Sequence, residues 1–186
     1  MGNAKIVCKI EPDLWKKERM EQLILGGMDV VRCVYAPRET ESCVRCIREV
    51  GTFRSKRNQP IEILFDIQKE KKDTGGFAEE ILLGISQKVK MISVPFVNMP
   101  KQGKKLRKLL DENGGKQILL IMRMEEDRTE QELEKVLDET DGIMIGKAVT
   151  PEVQRLMMKK AYEAQKMLVT ATLMLDFRVE AVQNEK

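Results

Sequence analysis

Short apolar runs alternate along this chain with longer stretches whose apolar residues return every three or four positions. Runs of the first kind mark buried strands, and stretches of the second kind mark amphipathic helices. The pattern predicts strands over Lys5–Ile10, Asp29–Val34, Ile61–Asp66, Lys90–Val94, Gln117–Met122, Gly142–Ile145 and Met167–Ala171. Between them it predicts helices over Lys16–Leu25, Glu39–Val50, Phe77–Gln87, Lys101–Asn113, Thr129–Asp138 and Pro151–Gln165. Gly26-Gly27 and Gly114-Gly115 punctuate the ends of the first and fourth helices, and Pro151 stands where a first-turn proline is tolerated.

Strands joined by helices of this length imply right-handed crossovers and a parallel sheet with the helices outside. Seven such strands in succession favour a (β/α)8 TIM-barrel-like α/β fold over an open doubly wound sheet. No Gly-x-Gly-x-x-Gly follows the first strand, so a dinucleotide-binding reading has no support. The count reaches about seven βα units, so the barrel is expected to be incomplete. Its first and seventh strands would then be unpaired edges, and exposed edges invite pairing with a second chain. A homo-oligomer is expected on that ground.

Composition narrows the partners. The chain has 186 residues, 42% hydrophobic and 34% charged, enough for one sizeable core. Apolar runs such as Ile118–Met122 are too short to cross a bilayer, so no membrane partner is expected. The chain opens directly into a strand-like run with no secretory signal, and Ile6 rules out a myristoylation motif at Met1-Gly2. The expected compartment is the cytoplasm. With 33 basic and 30 acidic residues the net charge is only +3. The basic clusters Arg54–Arg57 and Lys101–Lys108 are not interleaved with aromatics, which make up 4% of the chain. They read as solvated faces, and no nucleic-acid partner is expected.

Four cysteines and no histidine are present. Cys43 and Cys46 form a lone Cys-x-x-Cys without a second pair, and no imidazole is there to complete a zinc site. On the helix over Glu39–Val50 they share one face and read as core thiols. The methionines Met157, Met158, Met167 and Met174 read as core filler in the same way. Without histidine, any catalysis would fall to Lys, Arg, Asp, Glu or Thr.

Four segments, in order, carry a resemblance. They are Lys5-Ile6-Val7-Cys8-Lys9-Ile10-Glu11-Pro12, Gly27-Met28-Asp29-Val30-Val31-Arg32, Asp141-Gly142-Ile143-Met144-Ile145 and Ala171-Thr172-Leu173-Met174-Leu175. Together they resemble the barrel domain of pyruvate kinase. That resemblance implies a glycolytic, pyruvate kinase-type phosphotransferase as ancestor, moving a phosphoryl group from phosphoenolpyruvate to ADP with Mg2+ and K+. It also implies losses. The charged stretch 67–76 would replace the family's lid domain, and the regulatory carboxy-terminal domain would be absent. That leaves one barrel domain over residues 1–186.

Position by position, the resemblance gives Arg32 as the phosphate-contacting arginine and Asp66 as one potassium ligand. Val34 and Ala36 stand where the family has oxygen-bearing potassium ligands. Arg123 replaces the catalytic lysine. Glu125 matches one divalent-metal ligand, whereas Val149 stands where its aspartate partner should be. Thr172 matches the threonine near the protonation site. Losing one preorganised charge-stabilising group costs about 2.7–4 kcal/mol of barrier, and several are altered here together. A catalytically inactive pseudoenzyme is therefore expected, with vestigial site residues and no resident cofactor. At most it would bind a phosphorylated small molecule or a pyruvate-kinase-like subunit. Two alternatives stand: an active phosphotransferase using Arg123 and Glu125 with Mg2+ and K+, and a degenerate duplicate with no molecular function. Plainer readings also stand beside these roles. Arg32 and Asp66 suit a residual ion pair, Glu125 suits an acidic helix start, and Thr172 suits simple inheritance.

Overall fold

The computed structural model describes residues 3–10, 16–55, 58–68, 75–97 and 101–176. Its strands are β1 (Asn3–Ile10), β2 (Met28–Tyr35), β3 (Glu62–Ile67), β4 (Met91–Pro95), β5 (Leu119–Met124), β6 (Gly142–Ile145), β7 (Met167–Val169) and β8 (Leu173–Asp176). The helices are α1 (Lys17–Leu25), α2 (Thr40–Val50), α3 (Ala78–Ser86), α4 (Gln102–Glu112), α5 (Glu130–Glu139) and α6 (Pro151–Glu163). Every strand and helix expected from the pattern forms, with ends moved by a few residues at most.

The local reasons are visible at the helix ends. Thr129 accepts a hydrogen bond from the backbone of Glu132, whose carboxylate reaches back to the Thr129 backbone, so a capping box starts α5. Pro151 occupies the first turn of α6. Gly114, at φ +84°, ends α4 in a conformation that other residues adopt only under strain. In α2, Cys43, Cys46, Ile47 and Val50 form one buried stripe against the sheet.

The strands close into a barrel in sequence order, β1 to β8 and back to β1. Neighbours from β1 through β7 pair in parallel, as the crossover helices require. The incomplete barrel expected from the count is completed differently. β8 runs antiparallel to both of its neighbours, pairing Leu175 with Leu168 of β7 and with Ala4 of β1. No helix separates β7 from β8. At Thr170–Leu173 the chain reverses in a tight hairpin. The Thr170 amide donates to the Leu173 carbonyl oxygen (2.7 Å), and the Leu173 amide donates to the Thr170 hydroxyl (3.0 Å). The strand expected to reach Ala171 therefore ends at Val169. The unpaired edges that suggested dimerisation are absent among the described strands, because β8 covers β1 and β7 alike.

Two apolar layers result. Val7, Val30, Leu64, Met91, Ile121, Met144, Met167, Val169 and Met174 fill the barrel interior. A larger layer lies between sheet and helices and includes Phe65, Phe77, Leu106, Leu133 and Met157. The methionines of the sequence pattern divide accordingly: Met157, Met167 and Met174 are buried, whereas Met158 on α6 is exposed. Stretch 67–76, assigned to the place of the lid domain, lies largely outside the described residues. Ile67 closes β3, and Gly75–Phe77 forms a 3-10 turn leading into α3.

Candidate active site at the carboxy-terminal end of the barrel

Side chains alternate along a strand, so inward positions on neighbouring strands meet at common levels of the barrel. Above the apolar interior, near the carboxy-terminal ends of the strands, that level is polar. Arg32 of β2, Asp66 of β3, Ser93 of β4 and Arg123 of β5 supply it. This is the end where barrels of this type build their active sites.

Asp66 is the centre. Its side chain is fully buried, and both oxygens are occupied. Oδ2 accepts from Arg32 Nε (2.7 Å) and Gln68 Nε2 (2.6 Å). Oδ1 accepts from the Ser93 hydroxyl and from Arg123 Nη1. Arg123 is 3% exposed. Its Nη1 also donates to the Ile67 carbonyl oxygen (3.1 Å), and its Nε donates to Glu125 Oε1. Glu125 reaches the surface with its side chain 40% exposed, and Arg32 keeps 16% of its own. Two guanidinium groups and two carboxylates leave the cluster with no net charge.

The structure thus brings together four of the expected site residues, Arg32, Asp66, Arg123 and Glu125. The residual ion pair between Arg32 and Asp66 is present. Glu125 does not start a helix: α5 begins at Glu130, and Glu125 is held by Arg123 instead. Gly146 gives it room, since a Cβ there would lie 2.7 Å from Glu125 Oε2. Thr172 shares no hydrogen bond with them. It is exposed at the tip of the β7–β8 hairpin, and its carbonyl oxygen accepts from the Val7 amide (2.8 Å). Val34 is half-buried beside Asp66 in the strand register, and Ala36 lies just past the end of β2. Val149 packs into the helix-side apolar layer. Sequence reasoning did not single out Ser93. A lone hydroxyl in the otherwise apolar Met91-Ile92-Ser93-Val94-Pro95, at an inward position, was the available signal.

The donor set also decides whether cations fit. A magnesium or potassium ion needs free oxygen lone pairs. Both Asp66 oxygens already accept two donors each, and one Glu125 oxygen holds Arg123. Among the described residues, no group of three or more Asp, Glu, Cys or His side chains is placed to hold a metal. The described residues of this cluster do not fit the family's cations. A separate cleft of about 740 Å³, at the amino-terminal ends of the strands, is lined by Lys5, Asp29, Arg48, Glu62, Lys88 and Lys90. It lies at the opposite end of the barrel from this cluster, and Lys5 there is already paired with Glu62 (2.6 Å).

A family model described as pyruvate kinase, barrel domain, matches residues 70–183. The chain belongs to the pyruvate kinase family. The pyruvate kinase of Clostridium acetobutylicum is 27% identical over 184 residues, covering 91% of this chain and 37% of that enzyme. That of Clostridium perfringens is 27% identical over 142 residues, covering 69% of this chain and 28% of the enzyme. That of Sporosarcina psychrophila is 32% identical over 108 residues, covering 53% of this chain and 18% of the enzyme. The chain therefore spans well under half the length of these pyruvate kinases. No helix among the described residues is long and apolar enough to cross a membrane.

Proposed function

We propose that this protein is a pyruvate-kinase-like pseudoenzyme: a single barrel unit, with 67–76 in place of a lid, that binds a small phosphorylated anion at Arg32 and does not transfer phosphate. The observation that carries this reading is the double engagement of Arg123 with Asp66 and Glu125. Phosphoryl transfer depends on positive charge free to meet the migrating group. Here the Arg123 charge is spent on two carboxylates of the protein itself. Arginine is also a planar fork rather than a compact ammonium, so it cannot take over the lysine's work in place.

Arg32 differs, because its side chain keeps 16% exposure while Nε and Nη2 hold Asp66 and Nη1 does not. Its outer edge offers donors to a phosphate or carboxylate, a geometry guanidinium suits well. Thr172 and Val149 play no part in this reading. Partners would be a phosphorylated metabolite and, through family likeness, another pyruvate-kinase-like subunit.

A coupled assay with phosphoenolpyruvate, ADP, Mg2+ and K+ tests the catalytic half. Turnover is expected to match an Arg123→Ala control; turnover clearly above it would establish the alternative, a working minimal phosphotransferase. Thermal shift tests the binding half. Phosphoenolpyruvate is expected to raise the melting temperature of the natural protein and not that of Arg32→Gln, since a ligand specific to the folded state stabilises it. Equal shifts in both would sink the assignment to Arg32.

A further inference from the structure

We propose that the guanidinium of Arg123 is the resident cation of this pocket, a tethered organic ion occupying the place of an inorganic one. Its surroundings have the make-up of a cation cage: an oxygen of Asp66, an oxygen of Glu125 and the Ile67 carbonyl oxygen all accept from it. Two of these ligands carry negative charge, and the group is almost wholly shielded from water. The cluster is already electrically balanced by Arg32 and Arg123 against Asp66 and Glu125. Adding a divalent ion would bury two unmatched positive charges, which desolvation makes costly. A guanidinium also donates in a plane, so it links the ends of β3 and β5 as a spherical ion does not.

The consequence concerns the ion selectivity of the fold. The natural protein excludes divalent and monovalent metal ions from this pocket, whereas a variant lacking the Arg123 side chain holds a vacancy shaped for a free guanidinium. The inference stands whether or not the pocket takes a phosphorylated ligand. Its failure would show in cation binding, while failure of the proposed function would show in the phosphoenolpyruvate titration.

Two measurements test it. The free Mn2+ signal in electron paramagnetic resonance is expected to stay undiminished when natural protein is added in excess. Saturable loss of that signal, abolished by Glu125→Gln, would overturn the proposal. The Arg123→Ala variant is expected to melt below the natural protein and to regain much of the difference in millimolar methylguanidinium. Equimolar NaCl or KCl is expected to restore little. Equal recovery in all three salts, or none, would overturn the proposal. Should Arg123→Ala not fold, Arg123→Lys keeps one positive charge, and it is expected to fold and to bind no Mn2+. Mn2+ binding to Arg123→Lys as tight as to an ordinary two-carboxylate site would count against exclusion by charge.

Discussion

Asp66 accepts four hydrogen bonds at the top of the barrel, one from the half-buried Arg32 and one from Arg123, which solvent barely reaches. Removing its charge while keeping its shape leaves Arg32 without a counter-ion and Arg123 with Glu125 alone. Asp66→Asn is therefore expected to cost about 3–5 kcal/mol, the range for breaking a buried ion pair from one side. Urea denaturation measures it, and a loss below about 1 kcal/mol would mean that the cluster is more open to water than its burial indicates. The thiols give a second prediction at this scale. Cys33, Cys43 and Cys46 are fully buried, with Cys33 and Cys43 sulfurs 3.2 Å apart. Hydrogen bonding to Cys43 and Cys46, together with burial, pushes the Cys33 thiol well above its usual range. Only the partly exposed Cys8 is expected to react with a thiol reagent in the native protein, the other three reacting on unfolding. Arg32 falls inside a segment resembling the family, whereas Asp66, Arg123 and Glu125 were assigned only by carrying the resemblance along the chain between such segments. That Arg123 turns onto Asp66 rather than outward was not legible. It depends on β3 and β5 being held at one level by β4 between them.

The capping box of α5 is the element whose chemistry can be titrated. Hydrogen bonds from the Thr129 backbone and hydroxyl hold the Glu132 carboxyl below its usual range, because they favour the ionised form. A carboxyl depressed in the folded state adds stability above its unfolded pKa, and that contribution disappears as acid protonates it. The box should therefore weaken only below about pH 4.5, and little of the effect is electrostatic at so exposed a site. In Thr129→Ala the Glu132 carboxyl, followed by NMR, is expected to titrate at higher pH, with a loss of about 1 kcal/mol in stability. An unchanged titration would show that the hydrogen bonds do not persist in solution. Gly142 sets a stricter condition at the start of β6. A Cβ there would lie 2.5 Å from the Met167 carbonyl oxygen, so Gly142→Ala must push β7 away. A cost of about 1–3 kcal/mol is expected from such overpacking, read as a lower denaturant midpoint. Helix caps of this kind are written in adjacent residues. The clearance at Gly142 belongs to a strand 25 residues away, and no local pattern carries it.

Closure of the whole barrel rests on the four residues of β8. Met174 is 1% exposed and fills the interior between β7 and β1. Met174→Ala is expected to cost about 2–5 kcal/mol, a drop of several degrees in melting temperature for a chain of this size. If β8 detaches, β1 and β7 become edges, and the variant is expected to associate in gel filtration where the natural protein does not do so through these strands. A fully monomeric, equally stable variant would mean that the hairpin does not seal the barrel.

The sequence by itself determined the alternation of strands and helices, the parallel pairing of seven strands, the barrel class and the family, because hydrophobic period, caps and segments resembling the family are properties of neighbouring residues. Only the tertiary structure decided the antiparallel return of β8, the neutral cage around Arg123 and the placement of Thr172 at the tip of the β7–β8 hairpin. Those depend on which distant side chains arrive at one height in a closed sheet, and on whether a buried charge finds its partner in the protein or leaves it for an ion.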